Sequence, residues 1–156
     1  MTREEIQGFT AKISQCNRTE LVVISYDIMK VYIRDAKKAL AAEDTQLFIW
    51  NIKKAKSMLE ELMNALDFNY PQVTNNLMSL YLFIQSRFNK CIFKKKDVNL
   101  DVVVRIVDKL QAGFAEVAKE DTTGPVMENT SAVYAGITYG KGTLNEMYEE
   151  KSGFRV

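Results

Sequence analysis

The residues that could do chemistry in this chain of 156 residues are limited by the absence of histidine. Without an imidazole the chain cannot form a Ser-His-Asp triad, a Cys-His pair or a histidine-bearing zinc site. The adjacent carboxylates Glu60–Glu61 and Glu149–Glu150 are left as candidates for acid–base catalysis, which needs a pocket that the sequence does not indicate. The sequence therefore favours binding over catalysis, and we expect no enzyme activity, no cofactor and no metal site.

A second chemical candidate is the segment 136–143, whose Gly-Lys-Gly-Thr superficially resembles a phosphate-binding loop. Its spacing is wrong, because Lys141 occupies the position that the Walker pattern requires to be glycine, and no strand precedes it. Cys16 and Cys91 lie far apart and suit a reducing compartment better than a disulfide framework. Neither nucleotide binding nor disulfide chemistry is favoured.

Composition is that of an ordinary soluble domain, with 47% hydrophobic residues, 26% charged residues and a formal net charge of +1. No overall charge steers the chain toward nucleic acid or an anionic membrane. Residues 1–5 lack the apolar stretch of a signal peptide, and no apolar run reaches the roughly 20 residues that cross a bilayer. We expect a cytoplasmic protein with no nucleic-acid partner and no membrane insertion.

Four segments carry apolar residues in alternating steps of four and three, which keeps them on one side of an α-helix. The four stripes are Val22, Tyr26, Met29, Ile33, Ala36 and Leu40; Phe48, Ile52, Ala55, Leu59, Leu62 and Leu66; Leu77, Tyr81, Ile84, Phe88 and Cys91; and Leu100, Val103, Val107, Leu110, Phe114 and Val117. Short connections force each helix to reverse against its predecessor. The predicted fold is all-α, an antiparallel up-down four-helix bundle.

Capping residues predict where these helices begin and end. Asn17 and Glu20 have the form of a capping box, so the first helix should run from about residue 18 to 42. Asp44 or Thr45 should cap a second helix that reaches about 67, and Pro71 should begin a third that reaches about 96. A fourth helix should follow Asp97 or Asn99 and reach about 119.

Two end segments flank the predicted bundle. Residues 3–15 form a polar, weakly helical lead that contains Ile6, Phe9 and Ile13. Residues 121–156 hold five of the seven glycines and lose helical periodicity, apart from a weak segment near 144–148. We therefore assign residues 1–120 to the bundle domain and 121–156 to a flexible tail that is disordered or laid along the bundle.

The helices carry more apolar residues than the four stripes require. The first helix has a second set at Leu21, Ile24, Ile28 and Val31, and the second and third helices carry further ones. One explanation is a well-filled core with scattered apolar residues on the surface. The other is an exposed groove for an amphipathic helix, with methionines that adapt to the partner. These residue patterns alone leave both open.

Several segments of the chain resemble the FliS family of flagellin-specific export chaperones. The matching segments are residues 19–27, 33–36, 51–62 with Leu66-Asp67, and Leu80-Tyr81 with Arg87. They are similar in order and spacing to the family's runs ending in Leu-Tyr-Asp-Gly, its Leu-Arg-Gln-Ala, its Ile-Lys-Ala-Gln helix and its Leu-Tyr-Asp-Tyr. The resemblance covers roughly residues 9–118, with Arg18 and Ile28 replacing a proline and a glycine that the family usually has.

The resemblance implies a chaperone rather than an enzyme. Such a protein binds the disordered carboxy-terminal segment of flagellin, prevents its premature polymerisation in the cytosol and delivers it to a component of the flagellar export gate. The expected state of the chain is a monomer or weak dimer. The alternative is a structural or signalling helical bundle that self-associates or binds another amphipathic helix.

We predict the client contacts from the apolar surplus on the second and third helices. The predicted partner-binding residues are Ile49, Ile52, Met58, Met63, Met78, Leu82 and Phe83. Ile52 also lies on a core stripe, so the core and the partner are alternative contacts for its side chain. A second hypothesis is that the lead or the tail covers the groove until the client displaces it.

Overall fold

The first helices begin where side chains complete the backbone hydrogen bonds of their first turns. Asn17 Oδ1 accepts a bond from the Glu20 N–H at 2.8 Å and Glu20 Oε1 accepts one from the Asn17 N–H at 3.2 Å, which confirms the predicted capping box. The same motif begins the chain, because Thr2 Oγ1 accepts from the Glu5 N–H at 3.1 Å and Glu5 Oε2 accepts from the Thr2 N–H at 2.8 Å. The predicted helical lead is therefore confirmed, and it is a more regular helix than its weak sequence pattern indicates.

The computed structural model describes residues 1–127, and within that range it contains five helices and no strand. The helices are α1 (Arg3–Gln15), α2 (Arg18–Ala41), α3 (Thr45–Asn64), α4 (Pro71–Lys94) and α5 (Leu100–Glu120). The predicted all-α class is confirmed, with α2 to α5 as the bundle and α1 as the lead. No helix in the described range is long and apolar enough to span a membrane. Most of the predicted tail, including its weak segment near 144–148, lies outside the described residues.

The helices after α2 also begin at residues that fix their first turn. Asp44 caps α3, since its Oδ1 accepts a bond from the Leu47 N–H at 3.0 Å. Pro71 is the first residue of α4, as predicted, because a proline there gives up no helical hydrogen bond. The second and third bundle helices end at Asn64 and Lys94, two or three residues earlier than predicted.

A tight corner joins α4 to α5. Lys95 ends α4 in the left-handed region with φ 54°, a conformation that cannot continue a right-handed helix. Asn99 occupies the N-cap position of α5 but makes no side-chain cap bond. Asp97 supplies that bond instead, because its Oδ1 accepts from the Leu100 N–H at 3.0 Å. Both residues predicted as alternative caps thus take part in the corner.

The core lies where the four stripes meet, with α2 against α3 and α5, and α4 against α3 and α5. Its largest fully buried side chains are Tyr26, Met29 and Ile33 from α2; Phe48, Ile52 and Leu59 from α3; Tyr81, Ile84 and Phe88 from α4; and Leu100, Val103 and Val107 from α5. The Tyr26 and Tyr81 hydroxyls lie 2.5 Å apart across the bundle, and burial raises the pKa of both. This bond gives each buried hydroxyl a partner.

The lead helix α1 packs outside the bundle, on the second apolar face of α2. Phe9, Ile13 and Cys16 form a cluster with Ile24 and Ile28. Ile24 and Ile28 are buried by this contact and by their neighbours. Part of the apolar surplus seen in the sequence is therefore absorbed within the chain itself.

Polar contacts hold both ends of α1. The amino-terminal ammonium group lies 2.5 Å from Asp35 Oδ2, and Arg34 donates to the Glu5 carboxylate at 2.8 and 3.2 Å. The hydrogen bond from Arg34 is the main cause that lowers the pKa of Glu5 to about 2. At the other end, the Val126 N–H donates to the Cys16 carbonyl at 3.0 Å. The segment that follows α5 thus returns to the α1–α2 joint.

Candidate partner-binding furrow

An open furrow of about 490 Å³ separates the outer flanks of α3 and α4. Its lining residues, which define the α3–α4 furrow below, are Lys53, Lys56, Ser57, Glu60, Asn89, Ile92 and Phe93. The most exposed of the large apolar side chains in the described range is that of Phe93, at 85%. The furrow therefore combines apolar surface with lysine side chains along its α3 wall.

Four of the predicted contact residues occupy the helix flanks that border this furrow. Ile49 and Met63 each lie seven residues from Lys56, and a spacing of seven keeps residues on one side of a helix. By the same geometry Leu82 lies seven residues before Asn89, and Met78 lies one further turn back. Ile49 and Met63 are partly buried against the core and Met78 is partly buried, whereas Leu82 is 49% exposed. These residues lie on the same helix flanks as the furrow, beyond the side chains that line it.

The other three predicted contacts lie elsewhere, and Ile52 requires a correction. Ile52 is 0% exposed in the core, because its place on the α3 stripe turns it toward the bundle axis, so it cannot contact a partner on the folded surface. Met58 packs against both the core and the α1–α2 cluster, on the opposite flank of α3. Phe83 is rotated by about 100° from Leu82 on its helix. Its ring centroid lies 5.1 Å from the Arg87 guanidinium.

Phe93 and the lysines of the furrow were not among the predicted contacts. Phe93 shares a helix flank with Leu82, eleven residues away, so the spacing already carried that signal. Lys53 is exposed and Lys56 is partly buried, with its ammonium 3.8 Å from the Glu60 carboxylate. The apolar periodicity identifies apolar residues only, so it gives no signal for the lysines between them.

The side chains that line the furrow offer apolar surface, ammonium groups, a hydroxyl, an amide and a carboxylate. Both cysteines are buried free thiols, and burial is the main cause that raises the pKa of each, which keeps them in the protonated, unreactive form.

Another exposed aromatic ring, that of Trp50, lies on the outer side of α3. Its ring makes an edge contact with Tyr32 at 6.2 Å and lies under the Lys54 ammonium at 5.2 Å. Such half-exposed apolar side chains gain free energy when a partner removes them from water.

Comparison with known proteins agrees with the resemblance stated above. Residues 1–121 match the family described as Flagellar protein FliS, a span that contains all five helices and both walls of the furrow. Neither the comparison with curated proteins nor that with solved structures gave a match. Because the family match covers more than three quarters of the chain, the chain belongs to the FliS family of flagellar chaperones, which act in flagellum assembly and protein secretion.

Proposed function

We propose that this protein is the export chaperone of flagellin. It binds the disordered carboxy-terminal segment of unpolymerised flagellin in the cytoplasm and keeps that segment from assembling. It then delivers flagellin to a component of the flagellar export gate. The protein acts by binding alone and performs no chemical step on its client.

The observation that carries this proposal is the α3–α4 furrow. Leu82 and Phe93 are exposed on one side of α4, and Ile49 and Met63 lie on the same flank of α3 as the furrow's lysines. A disordered segment that folds into an amphipathic helix on such a surface buries apolar side chains that otherwise drive association. The same burial repays part of the entropy lost when the client becomes ordered.

A second surface for the same client lies on α2, beneath the lead helix α1. Phe9 and Ile13 cover Ile24 and Ile28 of α2, and these contacts resemble those that an amphipathic helix of the client would make. α1 contacts no other helix of the bundle as extensively as it contacts α2. A client helix of higher affinity therefore displaces α1 and gains the α2 face.

The test uses the full chain and the carboxy-terminal segment of flagellin from the same genome. Size-exclusion chromatography with light scattering should give a monomer or weak dimer alone and a 1:1 complex with the segment. Circular dichroism of the mixture should exceed the sum of the separate spectra in helical signal, because the client becomes helical. A chain that binds no flagellin segment and instead forms a stable oligomer through the furrow would support the self-associating alternative.

A further inference from the structure

The charge of the chain is unevenly distributed, although its formal net charge is only +1. Between Asp67 and Asp97 there is no acidic residue, while α4 carries Arg87, Lys90 and Lys94. The middle of α3, which forms the facing wall of the furrow, adds Lys53 and Lys56. Positive charge therefore exceeds negative charge around this furrow, whose lining contains one carboxylate, that of Glu60.

Helix dipoles explain only part of this concentration. Lys94 lies in the last turn of α4, where a cation stabilises the negative end of the helix. Lys53 and Lys56 lie more than two turns from either end of α3, beyond the reach of that effect. Their position in the furrow needs another reason.

Some lysines elsewhere on the bundle have carboxylate partners across a helix pair, whereas Lys38 and Lys109 have none within the described residues. Lys30 lies 2.9 Å from Asp108, and Lys37 pairs with Asp101, both between α2 and α5. Within residues 1–127, Lys53 and Lys90 are not within ion-pair distance of a carboxylate, whereas Lys56 is. The acidic residue that lines the furrow is Glu60, which is already 3.8 Å from Lys56.

These charges stand beside the apolar contacts of the furrow. Lys53 and Lys56 line the same wall, and Lys90 lies one turn before Phe93, on the same outer side of α4. An amphipathic helix laid into the furrow would bury its apolar side against Phe93 and Leu82. Its flanking residues would then lie near the lysine ammonium groups, where carboxylates are favoured and cations are repelled.

We infer that the α3–α4 furrow selects an amphipathic helix whose apolar side is flanked by acidic residues. This inference rests on the proposed function, and it identifies the part of the flagellin client that seats here as an acidic amphipathic segment. The apolar side supplies affinity, and the flanking carboxylates determine which segment is accepted and in which direction it lies.

The experiment uses the full chain and two synthetic peptides of roughly 18 residues, long enough for about five helical turns. The peptides share one set of apolar residues at helical spacing and carry either glutamate or lysine at every flanking position. Calorimetry should show that the glutamate peptide binds at least about tenfold more tightly. Its affinity should fall several-fold when sodium chloride is raised from about 50 to about 300 mM, because salt screens exposed charges.

A charge-reversed protein then locates the interaction. The double variant Lys53→Glu/Lys90→Glu should weaken the glutamate peptide about tenfold, since each lost pair is repelled as well as removed. The control Lys38→Glu/Lys109→Glu makes the same change of net charge at exposed positions of α2 and α5, outside the furrow. The control should keep the affinity of the unaltered chain, and thermal unfolding should confirm that both variants fold.

Equal affinity for the two peptides, or equal loss in the two double variants, would overturn the inference. The flagellin segment is measured with the same proteins. If it binds but ignores both salt and Lys53→Glu/Lys90→Glu, the inference fails while the proposed function stands. If it does not bind while the glutamate peptide does, the proposed client is wrong and the specificity of the furrow stands.

Discussion

Truncating Leu82 should weaken the client complex while leaving the bundle intact. The Leu82 side chain is 49% exposed on the flank of α4 that borders the furrow. Full burial of a leucine contributes about 1.5 to 3 kcal/mol, so a client that covers the exposed half gains about 0.7 to 1.5 kcal/mol. Leu82→Ala should therefore raise the Kd of the flagellin segment about three- to tenfold. Stability should fall by less than about 1 kcal/mol.

Two comparison variants make this prediction specific. Leu80→Ala removes the same group at 37% exposure, but residue 80 is rotated by about 200° from Leu82 and lies on the other flank of α4. Its effect on Kd should be less than twofold. Ile52→Ala removes a fully buried side chain and should cost about 2 to 5 kcal/mol of unfolding free energy. That loss corresponds to a decrease in Tm of about 5 to 20 °C.

Calorimetry with the flagellin segment measures Kd, and thermal unfolding by circular dichroism measures the stability of each variant. The reasoning is refuted if Leu82→Ala leaves Kd unchanged, since the furrow would then lie outside the client interface. An equal increase in Kd for Leu80→Ala and Leu82→Ala would mean that the client also contacts the flank of α4 on the side of α5. An unchanged Tm for Ile52→Ala would contradict its assignment to the core.

Two further predictions concern polar contacts. Arg34→Gln should raise the pKa of Glu5 from about 2 toward its ordinary 4.5, as followed by NMR titration of the carboxyl group. Because folding lowers this pKa, the contribution of Glu5 to α1 docking is complete above pH 4.5 and is lost as the pH falls toward 2. A Glu5 titration midpoint near 4.5 in the unaltered chain would contradict the ion pair. Tyr26→Phe leaves the buried Tyr81 hydroxyl without its partner and should cost about 1 to 3 kcal/mol in denaturant unfolding. Tyr32→Phe, at a partly buried position, is the control and should change stability by less than about 0.5 kcal/mol.

The features that could be predicted from the sequence are those that depend on neighbours along the chain. The four apolar stripes, the Asn17–Glu20 capping box and the start of α4 at Pro71 each involve residues within one or a few helical turns. The capping box of α1, formed by Thr2 and Glu5, is equally local, but a cap in front of a polar helix is a weak signal in a sequence. Local periodicity and local hydrogen bonds were thus sufficient for the fold class.

The candidate site could be predicted only in part. Periodicity gives the angle of a residue around its own helix, but it does not tell which neighbouring helix lies at that angle. Met58 and Met63 look alike in sequence, yet one faces the α1–α2 cluster and the other lies on the furrow flank of α3. Adjacent Leu82 and Phe83 separate onto different flanks of α4 for the same reason.

By itself, the sequence determined the helices, their caps, the stripes that form the core, and the resemblance to the FliS family. Only the tertiary structure decided that α1 covers Ile24 and Ile28, that Ile52 is lost to the core, and that Lys53 and Phe93 border one furrow. The physical reason is that these relations join residues distant in sequence, and they depend on how each helix is rotated against its neighbours in the packed bundle.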